Sequence, residues 1–171
     1  MISIRKEQIG DEEQIRIVNT RAFGQPAEAN VVDTLRKNCL AGESLVALDG
    51  DKIVGHILFT PAVIEAERKE IVGMGLAPMA VLPEFQRQGI GSKLIRTGLD
   101  EMRKTEQPFV IVLGHPEYYP RFGFVRASRY GIVSQYPNVP DDAFMILVYD
   151  QAALAGVSGI GKYRAEFDAA M

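Results

Sequence analysis

The segment that most constrains this chain is Val81-Leu82-Pro83-Glu84-Phe85-Gln86-Arg87-Gln88-Gly89-Ile90-Gly91-Ser92. An apolar stretch ends there, a polar loop turns, and Ile90, Leu94, Ile95, Leu99 and Met102 then recur at helical spacing. The first amides of a helix have no acceptor within it and lie at the positive end of its dipole. At Gly89 and Gly91 no Cβ stands between those amides and an approaching anion, and Arg87 adds positive charge. The segment reads as a diphosphate cradle; the plainer alternative is a strand-to-helix connection that opens on glycine. Two other glycine motifs fail. A dinucleotide fingerprint needs a third glycine where Leu94 stands, and a P-loop needs Gly-Lys-Ser/Thr where the order is Gly91-Ser92-Lys93.

The rest of the chain supplies a frame for that junction. Ile2 to Arg5 alternates as a strand does. Asp11 with Gln14 resembles a capping box, followed by a helix with Ile15, Val18 and Ala22 on one face and Gly24 at its end. Pro26 opens a second helix carrying Glu28, Val32, Leu35 and Cys39 on one face. Ser44 to Leu48 and Lys52 to Phe59 form a hairpin through Asp49-Gly50-Asp51. Ile71 to Leu82 is a strand whose Gly73, Gly75 and Pro78 favour a bulge or a splayed edge. Helix 89–104 follows, then a strand at Phe109 to Leu113 covered on both faces. A short helix is expected at Pro116 to Phe122, strands at Gly131 to Gln135 and Phe144 to Tyr149, and then a tail of loop with at most a short strand at Lys162 to Phe167. The expected architecture is one α/β (mixed α+β) domain over residues 1–171, with 150–171 as an extension. Its mixed, mostly antiparallel sheet has about seven strands, with helices on both faces.

Bulk properties exclude several classes. The 171 residues suffice for a core without disulfides or metals, and no metal is expected. A net charge of −3 gives no reason to expect a nucleic-acid partner, which would favour a basic face. The lone Cys39 allows no internal disulfide, which fits a reducing compartment. Met1 to Glu7 lacks the pattern of a secretion signal. The longest uncharged stretch, Ile71 to Pro83, is too short to span a bilayer. A cytoplasmic protein with no membrane partner is expected.

The glycine junction resembles the signature Gln/Arg-x-x-Gly-x-Gly/Ala of the GCN5-related N-acetyltransferase (GNAT) superfamily, matched by Gln86, Gly89 and Gly91. Met79-Ala80-Val81-Leu82-Pro83 looks like the end of that family's fourth strand. Tyr119-Pro120-Arg121-Phe122-Gly123-Phe124 looks like its later Tyr-x-x-x-Gly-Phe element. Leu113-Gly114-His115-Pro116-Glu117-Tyr118-Tyr119 suggests the YhbS-like subgroup. The resemblance implies a three-layer fold splayed between strands 4 and 5, and acetyl-CoA as cosubstrate. Its pantetheine would lie along Met79, Ala80 and Val81, and its diphosphate on Gln86, Arg87, Gln88, Gly89, Ile90, Gly91 and Ser92. It implies that the Val81 amide polarises the thioester carbonyl and that Tyr119 is the general acid, with Tyr118 structural or substrate-facing.

The resemblance is incomplete at the base. Many relatives carry an acid on the fourth strand, and Gly73 to Leu82 has none. Glu28 is one candidate in its place, although a solvated helix position is the plainer reading of it. His115 ends the fifth strand and is a candidate for a polar role. His56 reads as a core histidine and Cys39 as core. The expected activity is acetyl transfer to a primary amine of a small molecule or a protein; the alternative is an acyl-CoA-binding or sensing module. No motif names the acceptor, for which the segments 22–31, 65–70 and 137–142 are the candidate specificity regions. A homodimer is open to it.

Overall fold

A computed structural model describes residues 1–39 and 41–171. The chain divides into two compact units: Met1–Phe59 with Ala77–Asp100 and Ala165–Met171, and Thr60–Leu76 with Glu101–Arg164. Among the described residues, nine strands share one sheet in the hydrogen-bonded order β1 (Ile2–Lys6), β2 (Glu43–Asp49), β3 (Lys52–Glu65), β4 (Glu70–Val81), β5 (Phe109–Leu113), β8 (Phe144–Val148) and β6 (Val125–Arg126), with β9 (Gly159–Lys162) joined to β3 and β7 (Ile132–Ser134). The count exceeds the expected seven because two very short strands, β6 (Val125–Arg126) and β9 (Gly159–Lys162), give too little periodicity to register in sequence.

In the first unit, β1 (Ile2–Lys6), β2 (Glu43–Asp49) and the first part of β3 (Lys52–Glu65) pair antiparallel. The hairpin turns at Gly50 with φ 62°, as its sequence requires. Three helices bury their apolar stripes here. Helix α1 (Glu12–Phe23) contributes Ile15 and Val18, α2 (Ala27–Asn38) contributes Val32 and Leu35, and α3 (Ile90–Lys104) contributes Leu94 and Ile95. Gly98 of α3 leaves the space that the Phe59 ring fills. The expected capping box does not form. Asp11 instead takes two hydrogen bonds from the Arg5 guanidinium, at 2.7 and 3.1 Å, and one from the Gln8 amide. Gln14 accepts from the Ile53 amide at 3.0 Å. The Gln14 side chain went to a partner 39 residues away, which a local pattern cannot reveal, and Asp11 turned back to Arg5 and Gln8.

In the second unit, β5 (Phe109–Leu113) lies between β4 (Glu70–Val81) and β8 (Phe144–Val148), parallel to the first and antiparallel to the second. β6 pairs with β8. A short helix α4 (Gln151–Leu154), capped by Asp150, leads into β9. β9 runs parallel to β7 (Ile132–Ser134) and antiparallel to the end of β3. The strand expected at Lys162 to Phe167 is therefore earlier, and Ala165–Ala170 is a 3-10 turn. Glycine weakens an isolated strand, but at Gly161 the missing side chain is what admits the Phe144 ring.

Candidate active site

The first unit carries the glycine loop. At its entry the Leu82 amide donates to the Val54 carbonyl at 2.9 Å, and Pro83–Phe85 forms one 3-10 turn. The Gln86 side chain folds back to donate to the Val81 carbonyl at 2.9 Å. Glu84 would oppose an anion, but Arg21 grips it through two 2.8 Å bonds, and that grip holds its carboxyl below the ordinary range. Arg87 has φ 63° and Gly89 φ 83°, with Gln88 between them. A non-glycine residue in the left-handed region is uncommon and concentrates at functional sites. The Gly89 carbonyl receives the first helical bond of α3, from the Lys93 amide at 3.0 Å. The amides of Ile90 and Gly91 thus sit in the first turn, where no intrahelical acceptor exists. Residues Gln86 to Gly89 are exposed and Gly91 and Ser92 half-buried, while Ala80 and Val81 are buried and Met79 is half-buried.

Two other residues proposed from sequence lie in this unit. Glu28, in the first turn of α2, is half-buried and accepts from Gln25 at 3.2 Å on both oxygens. His56 is fully buried. The Asn19 side-chain amide donates to the Ile15 carbonyl at 3.0 Å and lies 3.1 Å from His56 Nδ1. That nitrogen is therefore the acceptor, and Nε2–H donates to Ser44 Oγ at 2.9 Å. Ser44 in turn donates to Glu7, which Arg36 holds. Burial lowers the imidazole pKa to about 4, with Arg36 acting in the same direction and Glu7 opposing. His56 is a satisfied, neutral core residue, as its apolar strand suggests.

The second unit carries the tyrosines. The segment expected as a helix is a turn at residues 116–118 followed by one 3-10 turn, Tyr119–Phe122. Pro120 has no N–H to continue a helix, and Gly123 closes the turn at φ 99°. Tyr119 is only 7% exposed. Its ring rests on Gly114 and meets Phe124 and Tyr118 edge-on, at 5.7 and 5.3 Å between centroids. Burial, then the neighbouring Tyr118, raises the Tyr119 phenol well above the usual range, so it stays protonated. Tyr118 is half-buried against Phe122 and Arg121, and His115 is exposed. A cavity of about 240 Å³ opens beside this turn, lined by Pro116, Glu117, Pro120, Arg126, Asp142 and Met145. Tyr119 does not line it, so it is not where that phenol would act.

Sequence reasoning missed Tyr163. Its side chain is buried, the ring lies over Gly75, and the hydroxyl donates to the Leu76 carbonyl at 3.0 Å. The parallel ladder of β4 with β5 covers Met74↔Val110, Gly75↔Ile111 and Leu76↔Val112, while β4 continues to Val81. Only the paired glycines of β4 hinted that a bulky group lies there.

The family described as acetyltransferase (GNAT) domain matches residues 3–127. The chain belongs to the GNAT acetyltransferases. It is 44% identical to the uncharacterised N-acetyltransferase YjhQ of Escherichia coli over 77% of this chain and 74% of that protein. With the uncharacterised N-acetyltransferase YhbS of the same organism it shares 33% over 86% and 87% of the two chains. The crystal structure of YhbS in complex with CoA superposes with a TM-score of 0.89 at 30% identity, covering 98% of this chain and 92% of that one. A GNAT acetyltransferase from Brucella melitensis in complex with acetyl-CoA gives 0.78 at 34%, covering 98% and 99%. The GNAT match takes in the glycine loop and Tyr119 and ends before β7, β9 and Tyr163. Among the described residues, no group of three or more His, Cys, Asp or Glu is placed to hold a metal ion, and no helix is long and apolar enough to cross a membrane.

Proposed function

We propose that this GNAT protein moves an acetyl group from acetyl-CoA to the primary amine of a small molecule or a protein. The observation that carries the cofactor assignment is the pair of left-handed backbones, Arg87 and Gly89, directly before α3. Alternating backbone conformations of this kind turn successive N–H groups toward one point and make an anion-binding nest. The amides of Arg87, Gln88, Gly89, Ile90, Gly91 and Ser92 would take the diphosphate, with Arg87 adding charge. Gln86 supports the loop through its bond to Val81. In this reading the backbone of Met79, Ala80 and Val81, at the end of β4, takes the pantetheine.

Acetyl-CoA supplies an acetyl group activated as a thioester. In this reading the Val81 amide faces the negative charge that develops on the carbonyl oxygen. Tyr119 gives its phenolic proton to sulfur as the C–S bond breaks and the N–C bond forms. The amine nitrogen loses one proton to solvent, and one returns to Tyr119, so the products are an amide and the CoA thiol. Glu28 is proposed near the acceptor, to hold a water or the amine. Because β4 carries no acid from Gly73 to Leu82, an amine already partly neutral is the substrate that needs no dedicated base.

The test is thiol release from acetyl-CoA with a panel of amines, with mass spectrometry of the acetylated product. Release with no amine in the panel defeats the amine assignment. Glu28→Gln should slow transfer modestly and unevenly across acceptors. A loss of kcat above about 10³-fold for every acceptor, the range of a positioned base, would instead make Glu28 that base.

A further inference from the structure

We infer that Arg21 is a positioning residue for acetyl-CoA, acting without touching it: it holds the Glu84 carboxylate on α1 and off the diphosphate loop; this rests on the acetyl-CoA reading above. Glu84 is the one acid between Glu70 and Asp100. It stands in the 3-10 turn Pro83–Phe85 that leads into the loop. Its backbone carbonyl accepts from the Gln88 side-chain amide at 3.3 Å, and Gln88 lies between the left-handed Arg87 and Gly89. The frame of the cradle therefore carries a negative charge of its own. A carboxylate about 8 Å from a doubly anionic diphosphate weakens its binding roughly fivefold even in water, and more where the ligand excludes solvent.

Arg21 answers that charge in both position and chemistry. It lies in the last turn of α1, and its guanidinium meets both oxygens of Glu84, Nη1 on Oε1 and Nη2 on Oε2, each at 2.8 Å. The two-pronged contact neutralises the charge and fixes its direction together, which an ammonium on one oxygen would not do. The nearby Lys52 is engaged elsewhere, 5.6 Å over the Phe85 ring. Arg21 and Glu84 are open to water, with side chains 47% and 41% exposed. An ion pair so exposed adds little to stability, so its effect falls on what the loop binds.

Calorimetry of acetyl-CoA binding to four proteins tests this. Arg21→Gln frees the carboxylate and should bind at least ~5-fold more weakly than wild type at low salt. That deficit should shrink at ~0.5 M salt, where exposed charges are screened. Glu84→Gln should bind as tightly as wild type or more tightly. Arg21→Gln with Glu84→Gln should recover wild-type affinity. A double variant as weak as Arg21→Gln alone would mean that Arg21 meets the ligand itself. Equal losses in the two single variants would mean that the ion pair merely braces the loop. Either result overturns the inference. Wild-type protein that does not bind acetyl-CoA overturns the acetyl-CoA reading, and the inference with it. Wild type that binds, beside an Arg21→Gln protein that binds equally well, overturns the inference alone.

Discussion

The Gln86 side-chain amide reaches back along the chain to the Val81 carbonyl, at 2.9 Å, and so closes the loop between the end of β4 and the start of α3. The family signature residue is thus a strut within the loop, and the expected effect of removing it on acetyl-CoA is indirect. A hydrogen bond of this kind is worth about 1 kcal/mol net. Gln86→Ala should weaken acetyl-CoA binding by roughly fivefold in calorimetry and lower the thermal midpoint only slightly. A loss as large as that of a glycine substitution would mean that Gln86 touches the ligand itself.

Gly89 offers a cleaner test of the cradle. A Cβ there meets no atom of the protein within 4 Å, so nothing in the fold opposes a larger residue except its φ of 83°. That strain costs about 1–2 kcal/mol. Gly89→Val should fold, with a lowered melting temperature, and bind acetyl-CoA too weakly to measure. Unchanged affinity in the folded variant would remove the loop from the site.

Tyr119 and Tyr118 are separable because their rings differ in surroundings. The first is buried on Gly114 and Phe124, the second half-exposed beside Arg121. Tyr119→Phe should lower kcat by roughly 10²-fold with little change in acetyl-CoA affinity, the low end for general acid catalysis. Tyr118→Phe should do much less. The reverse order, or near-full activity in Tyr119→Phe, defeats the assignment.

The buried His56 makes stability depend on pH. Its folded pKa, about 4, lies below the ordinary value of 6.5, so the unfolded chain takes up the proton first as pH falls. The stabilisation is complete above pH 6.5 and is lost between 6.5 and 4, by roughly 3 kcal/mol in all. Glu7, held below its ordinary value by Arg36 and Ser44 against its own burial, loses its contribution further into acid. Urea midpoints measured from pH 7 to 5 should fall in wild type and stay nearly flat in His56→Gln. A flat wild-type profile would show that the imidazole is not held neutral.

How far the sequence revealed these features depended on the distance between partners. The glycine loop, α3 and the Gly50 hairpin are local: residues a few positions apart set their backbone, and each was legible. The Asp11–Gln14 pair looked like a cap because the two are near neighbours, yet Arg5 and Ile53 claimed the side chains. Tyr163 was invisible for the same reason, since its place is set by Gly75 and Leu76, far away in the chain. β9 is held by β3 and β7, and its glycines argue against a strand until Phe144 is seen beside them.

Strands β3 and β4 each pass from one compact unit into the other, at Phe59–Thr60 and Leu76–Ala77. A continuous strand cannot melt over half its length without fraying the ladder that the other half supports. The amides of Thr60 and Ala77 should therefore exchange with solvent no faster than those of their neighbours along the same strand.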